Sequence, residues 1–443
     1  MNKPFSGNNS RREFVKGTSL LAGGILAAPL LSRANFFSGS DDTIKIAVVG
    51  CGGRGTGAAM QALSSKQNVK IVAMADAFKD NLDNCHTSLT EEINNSIGAL
   101  AKRLDVPEER RFTGFDGYQK AIALADVVIL ATPPGFRPIH FAEAIKQGKH
   151  VFMEKPVATD PAGIQSVLAT AAIAKQKKLN VVVGLQRHYQ NSYRELYKRK
   201  DLIGDITSAQ AWWNNDGVWV RPRKYNQTEM EYQMRNWYYF NWLCGDHITE
   251  QHIHNLDVIN WFKGGHPVKA QGLGGRQVRN GKDHGEIFDH HFVEFEYADG
   301  SILNSQCRHI PGTMSKVDEL LVGTKGKIFC GAAHIKDHTG KLIYQYDTKL
   351  ENNPYQTEHD ELFAAIAKGE YKFADAENGA SSTMTSIMGR MATYSGQVIE
   401  WDKAINSGID IHPKVYDWNA EAPVLPNADG HYPIAIPGVT KYF

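Results

Sequence analysis

Thr43-Ile44-Lys45-Ile46-Ala47-Val48-Val49 leads without a break into Gly50-Cys51-Gly52-Gly53-Arg54-Gly55. Few local patterns restrict a chain more. The first run is mostly β-branched or apolar and reads as a buried parallel strand. The second fits G-x-G-x-x-G. Thr56 to Leu63 then reads as a helix, and Val69 to Ala75 as a second strand ending in Asp76. A glycine loop alone is only a sharp turn; in this order each part has a task. Gly50 permits the tight turn, Gly52 lets the backbone approach a pyrophosphate, and Gly55 allows close helix–strand packing. The helix N-terminus faces the negative charge. Asp76 stands about 20 residues after the loop, where a carboxylate takes ribose hydroxyls and repels a 2′-phosphate. The stretch therefore predicts a Rossmann unit that holds NAD rather than NADP.

The unit continues. Asp126 to Thr132 is another buried strand, stopped by Pro133-Pro134. Phe141 to Gln147 is helical and closed by Gly148. His150 to Met153 is the next strand, with Glu154-Lys155-Pro156 at its carboxyl end. Open α/β sheets bind ligands beyond that end. Thr132, Pro133, Glu154 and Lys155 thus join Gly50, Gly52, Gly53, Arg54, Gly55 and Asp76 as expected cofactor contacts.

The densest run of proton-transfer groups is Cys244 to Asp257. On one continuous helix His247, Glu250, His254 and Asp257 share a stripe, with Trp261 following. His252 lies roughly 140–160° away at 100° per residue. The trio His247, Glu250 and His254 could also hold zinc, but it suits acid–base work, and no metal is expected. Before this run lies an aromatic span that includes Trp212, Trp213, Trp219, Tyr225, Tyr232, Trp237, Tyr238, Tyr239 and Trp242, with Asn214, Asn215, Asp216, Arg221, Arg223 and Arg235 interspersed. Any single aromatic is more often core. As a group they suit the C–H faces of a sugar ring.

Composition closes off other classes. The formal charge is +1 with no basic stripe, which argues against nucleic acid. Five scattered cysteines show no C-x-x-C, so neither a disulfide framework nor a zinc knuckle is expected. The first 34 residues read as an address: Ser10-Arg11-Arg12-Glu13-Phe14-Val15-Lys16, then an apolar run from Leu20 to Leu31, then Ser32-Arg33-Ala34. The run is shorter than the ~20 residues a membrane span needs. The arginine pair resembles a twin-arginine export signal, which implies a periplasmic protein, folded and loaded with cofactor before export, with no membrane span once the signal is removed. Residues 35–42 read as a linker.

With these residues in hand, the chain resembles the glucose–fructose oxidoreductase / inositol dehydrogenase / rhizopine catabolism (Gfo/Idh/MocA) family from about Thr43 to Trp401. The likeness rests on the glycine loop, Ala131-Thr132-Pro133, Glu154-Lys155-Pro156-Val157-Ala158-Thr159-Asp160, His254-x-x-Asp257 with Trp261, and Gly389-Arg390-Met391 through Trp401. It implies an α/β fold: an N-terminal Rossmann domain joined to an α/β domain with a large open, mostly antiparallel sheet. It also implies that the family's lysine role falls on Lys155 and its histidine role on His254, and that subunits associate, the exposed sheet face being the expected interface of a homo-oligomer. Family members usually carry Asp four residues before that histidine; Glu250 stands here. The expected divisions are 43–177 for the Rossmann domain, 178–372 for the sheet domain, and 373–443 for a helix and tail packing back on the Rossmann half. Within them Asp160 suits a helix N-cap and Pro161 its first position.

The chemistry expected is NAD-dependent oxidation of a secondary hydroxyl of a sugar or glycoside. His254 takes the hydroxyl proton, Glu250 orients it, and Lys155 stabilises the developing alkoxide. Gln186, Arg187, Tyr193, His247 and Asp257 are the candidates for substrate hydroxyls. The alternative is an NAD-dependent glycoside hydrolase working by transient C3 oxidation, elimination, hydration and re-reduction, with His247, His252 or Tyr193 as base for the C2 proton.

Overall fold

The computed structural model describes residues 42–96, 100 and 102–442. The expected export signal and nearly all of the expected linker lie outside the described residues.

The first sheet has six parallel strands: β1 Ile44–Val49, β2 Val69–Asp76, β3 Arg111–Thr113, β4 Val127–Leu130, β5 His150–Met153 and β6 Val181–Val183. Their order is β3-β2-β1-β4-β5-β6. Apart from Lys45, β1 is buried, as a parallel strand covered on both faces must be. The register decides where the site lies. Ala75, Val49, Leu130, Met153 and Val183 sit side by side across neighbouring strands. The residues that follow them, Asp76, Gly50, Ala131, Glu154 and Gly184, therefore emerge along one edge. Strand order reverses between β1 and its two neighbours, and a crevice opens there.

The helix Pro161–Gln176 starts as its sequence suggests, with Asp160 accepting from the Gly163 N–H at 2.7 Å. It is the right kind of crossover to return the chain to β6, so the Rossmann sheet ends near residue 184, beyond the expected boundary at 177.

The second sheet has nine strands: β7 Ile206–Asn215, β8 Pro267–Gly275, β9 His290–Tyr297, β10 Ile302–His309, β11 Lys316–Gly323, β12 Gly326–Phe329, β13 His334–Asp337, β14 Leu342–Gln345 and β15 Ile399–Glu400. All neighbours are antiparallel except β7 and β10, which run parallel at its centre. The helix Ala376–Ser395 is almost wholly buried, against β8 and β9 on one side and Pro161–Gln176 on the other. The expectation that it packs on the Rossmann half is thus incomplete: it is wedged between the halves. Pro354–Ala367 packs on Gly53–Leu63. Among the described residues no helix is long and apolar enough to cross a membrane.

Two glycines of the loop have opposite tolerances. A Cβ on Gly55 would lie 1.8 Å from the Gly50 carbonyl oxygen, whereas one on Gly53 meets nothing within 4 Å. Gly55→Ala is expected to cost about 3 kcal/mol through overpacking, and Gly53→Ala about 0.5 kcal/mol or less. Denaturant melts of the two variants check this; equal midpoints would refute it.

Candidate active site

The crevice is a cavity of about 850 Å3. Its cofactor side is built on the glycine loop. Gly50 takes φ +95°, and a Cβ there would strike the Thr132 amide nitrogen at 2.4 Å, so only glycine lets the loop lie against the end of β4. No side chain caps the helix that begins at Gly53, and space is open at Gly52 and Gly53. This leaves a cradle of backbone N–H groups suited to a pyrophosphate. Asp76 also lines the cavity. Its carboxylate accepts from the N–H of Cys51 at 2.7 Å and of Phe78 at 2.8 Å. Burial raises its pKa while those N–H groups oppose the rise. The residues present fit a dinucleotide.

Arg54 and Glu154 line the cavity, but their charged ends engage each other at 2.5 Å, and Arg54 also reaches the buried Glu358 at 3.3 Å. The pair ties the loop to the end of β5 rather than leaving a free charge for the cofactor. Gly55 packs under the loop and does not line the cavity. Thr132 and Pro133 do line it. Sequence reasoning missed Arg137, which is buried and joins two strand ends by donating to the Thr132 and Glu154 carbonyls at 2.5 and 3.0 Å. Burial lowers its pKa to about 10, so it stays charged. No spacing rule marks it in the sequence.

The reaction side is built by Lys155, Glu250 and His254, which share the cavity wall. Lys155 Nζ donates to the Glu250 carbonyl oxygen at 2.6 Å and to Glu250 Oε1 at 3.0 Å. Burial raises the Glu250 pKa, and Lys155 counters it. His254 stacks on Trp213 with ring centres 5.8 Å apart. Burial holds its pKa well below the ordinary imidazole value, and the cations Lys155, Arg187 and Arg54 push the same way. Glu250 does not orient His254 as expected; its carboxylate is paired with the lysine.

The single-helix stripe is corrected by the structure. The segment forms two helices, His247–Glu250 and Ile253–Lys263, with Gln251 and His252 between them. The break turns His247 away. It is fully buried, bonded through Nδ1 to Asp246 Oδ1 at 2.8 Å, and burial pushes its pKa down to about 4. The trio His247, Glu250 and His254 is therefore not brought together; His247 clusters with Asp246 and His291 instead. His252 bonds Ser305 Oγ at 2.7 Å. Asp257 is held by His188, Asn378 and Ser382 at 2.8 to 3.0 Å. Gln186 donates to the Tyr355 hydroxyl at 3.1 Å. Arg187 pairs with the buried Glu319, which also accepts from the Tyr193 hydroxyl at 2.8 Å. None of the five expected substrate ligands, Gln186, Arg187, Tyr193, His247 and Asp257, lines the cavity. The aromatic span supplies its wall instead: Trp213, Trp219, Trp237 and Tyr238, with Arg221 and Arg235.

Residues 44–185 match the model of the Gfo/Idh/MocA oxidoreductase family, described as an NAD-binding Rossmann fold. The chain is 28% identical over 331 residues to an inositol 2-dehydrogenase of Burkholderia lata, covering 70% of this chain and 84% of that one. Among solved structures it is similar to scyllo-inositol dehydrogenase from Lactobacillus casei with bound NAD(H) and scyllo-inositol (TM-score 0.60, 19% identity, 81% and 99% covered). It is also similar to aldose-aldose oxidoreductase from Caulobacter crescentus complexed with glycerol (TM-score 0.63, 16% identity, 81% and 99% covered). At these identities the two structures speak to the fold.

Proposed function

We infer that a chain whose residues 44–185 form the NAD-binding Rossmann module of the Gfo/Idh/MocA oxidoreductase family is a dehydrogenase acting on a secondary hydroxyl of a sugar or cyclic polyol. The observation that carries this reading is the meeting of Lys155, Glu250 and His254 on one cavity wall, beside the glycine-loop cradle. Bound NAD supplies the hydride acceptor. The other work belongs to this chain. The neutral His254 accepts the hydroxyl proton, and Lys155 donates to the same oxygen as negative charge grows on it. The Trp213, Trp219 and Trp237 faces hold the ring. The inositol 2-dehydrogenase relative supports a polyol substrate. The hydrolase alternative needs a base for the C2 proton, and its candidates His247, His252 and Tyr193 all lie outside the cavity. The test is to add polyols and sugars to the purified protein and follow the absorbance of reduced nicotinamide. A rise without release of an aglycone is expected; nitrophenol release from a nitrophenyl glycoside with no added acceptor would favour the hydrolase.

The Arg11-Arg12 leader supports export with the cofactor already seated. Replacing both arginines by lysine is expected to leave the protein in the cytoplasmic fraction of a bacterial host. Unchanged export would remove that reading. The outer face of the second sheet supports self-association: Leu273 and Phe292 are cross-strand neighbours and exposed at 76% and 38%. Leu273→Asp is expected to shift the sedimenting species to a smaller one.

A further inference from the structure

Gln251, in the break between the two helices, lines the cavity beside Glu250 and His254. Behind it runs a buried relay. Arg279 is 4% exposed. It donates to the Phe288 carbonyl at 2.7 Å and to His309 Nδ1 at 2.6 Å. A guanidinium has donors and no acceptor, so His309 Nδ1 carries a lone pair. Burial first, then His247 and Arg279, keep that ring from taking a second proton. Its proton therefore sits on Nε2, which faces Gln251 Oε1 at 2.9 Å. If the amide were turned over, an N–H would meet an N–H. The chain of donors thus settles an orientation that heavy-atom positions alone leave open: the Gln251 oxygen points to His309, and its NH2 points away from it.

Among the described residues no acceptor lies within hydrogen-bond distance of that NH2, and on a half-buried side chain that lines the cavity it stays open rather than buried. The carboxylates on the cavity wall are already engaged: Asp76 by backbone N–H groups, Glu154 by Arg54, Glu250 by Lys155. An amide donor with fixed polarity therefore stands free beside the reacting groups. We propose that Gln251 is a specificity-determining residue that donates to an acceptor oxygen of the saccharide, and that Arg279 and His309 are positioning residues which set this polarity. The proposal rests on the sugar-dehydrogenase reading above. It adds that substrates are sorted by an oxygen able to accept at this point, because a donor that the bound sugar covers and leaves unmatched is costly.

The test uses the holoenzyme and a set of myo-inositol, glucose, xylose and gluconate, carrying forward whichever gives the fastest NAD reduction. Gln251→Glu keeps the bond from His309 but offers an acceptor to the cavity; its KM is expected to rise about tenfold or more, by a larger factor than kcat changes. Two variants of His309 separate polarity from packing. His309→Gln can accept from Arg279 and donate to Gln251, so KM should stay near that of the wild type. His309→Glu gains an ion pair with Arg279 but presents only acceptors, turning the Gln251 amide over, so KM should rise as in Gln251→Glu, with the melting temperature of each variant measured alongside to report the fold. Equal KM for the two His309 variants, or an unchanged KM in Gln251→Glu, overturns the proposal. If wild type reduces NAD with none of the set, the dehydrogenase reading fails, and the proposal is read from sugar binding by tryptophan fluorescence. Weaker binding in Gln251→Glu then supports it; equal binding, or none by wild type, overturns it.

Discussion

Lys155→Met lowers kcat by about a thousandfold, with NAD content and melting temperature close to wild type. The size follows from what the ammonium does. It has three N–H donors; two are taken by the Glu250 carbonyl and carboxylate at 2.6 and 3.0 Å. The third is left for the substrate oxygen, in a cavity wall where the lysine side chain is only 12% exposed and charge is weakly screened. Burial already raises the Glu250 pKa and Lys155 opposes the rise, so a carboxyl deprived of its lysine takes up a proton more readily, which limits the cost of leaving it unpaired. Glu250→Gln keeps the backbone acceptor and a side-chain oxygen, and is expected to lose a smaller factor, about tenfold. Single-turnover reduction of bound NAD measures both. A Lys155→Met enzyme that keeps a tenth of wild-type kcat would falsify the assignment of Lys155 to the reacting oxygen.

The two halves of the site differed in how readable they were. Gly50, Gly52, Gly55 and Asp76 act through the backbone near them in sequence, so the strand–loop–helix–strand order is enough to place them. Lys155 is placed by register, since the end of β5 lies beside that of β4, next to β1. His254 and Glu250 reached the cavity for a reason the periodicity did not contain. A 3.6-residue stripe assumes an unbroken helix, and the chain breaks at Gln251-His252. The same break sends His247 into a buried cluster and brings Gln251 to the cavity wall, which no charge or spacing rule marks. Gln186, Arg187 and Tyr193 looked like substrate ligands as polar groups following the last strand of the first half, and Asp257 as a member of the histidine stripe. Each instead satisfies a partner from a distant segment: Tyr355, Glu319, or the helix Ala376–Ser395. Such pairings depend on the tertiary fold. The parallel joint of β7 and β10 is equally invisible, because alternation shows which face a strand buries and not the direction of its neighbour.

His254→Ala is expected to lower kcat by roughly a hundredfold to ten-thousandfold, and its pH behaviour separates it from a merely structural loss. Burial is the main cause that holds the His254 pKa well below the imidazole value, and Lys155, Arg187 and Arg54 add to it. The neutral form, which accepts a proton, therefore persists below about pH 6.5, where a free imidazole is half protonated. The acid limb of wild-type kcat/KM should begin below that point. Lys155 is the first cation in the series, so Lys155→Met should move the limb of the residual activity upward, toward the free value. Linkage gives the stability sign. The folded pKa is depressed, so the unfolded chain binds the proton more readily, and protonation favours unfolding as pH falls below about 6.5. His254→Ala should consequently lose less stability than wild type between neutral and mildly acid pH, while losing activity at every pH. A wild-type limb centred at the free imidazole value, or one that moves downward in Lys155→Met, removes His254 from the role of proton acceptor.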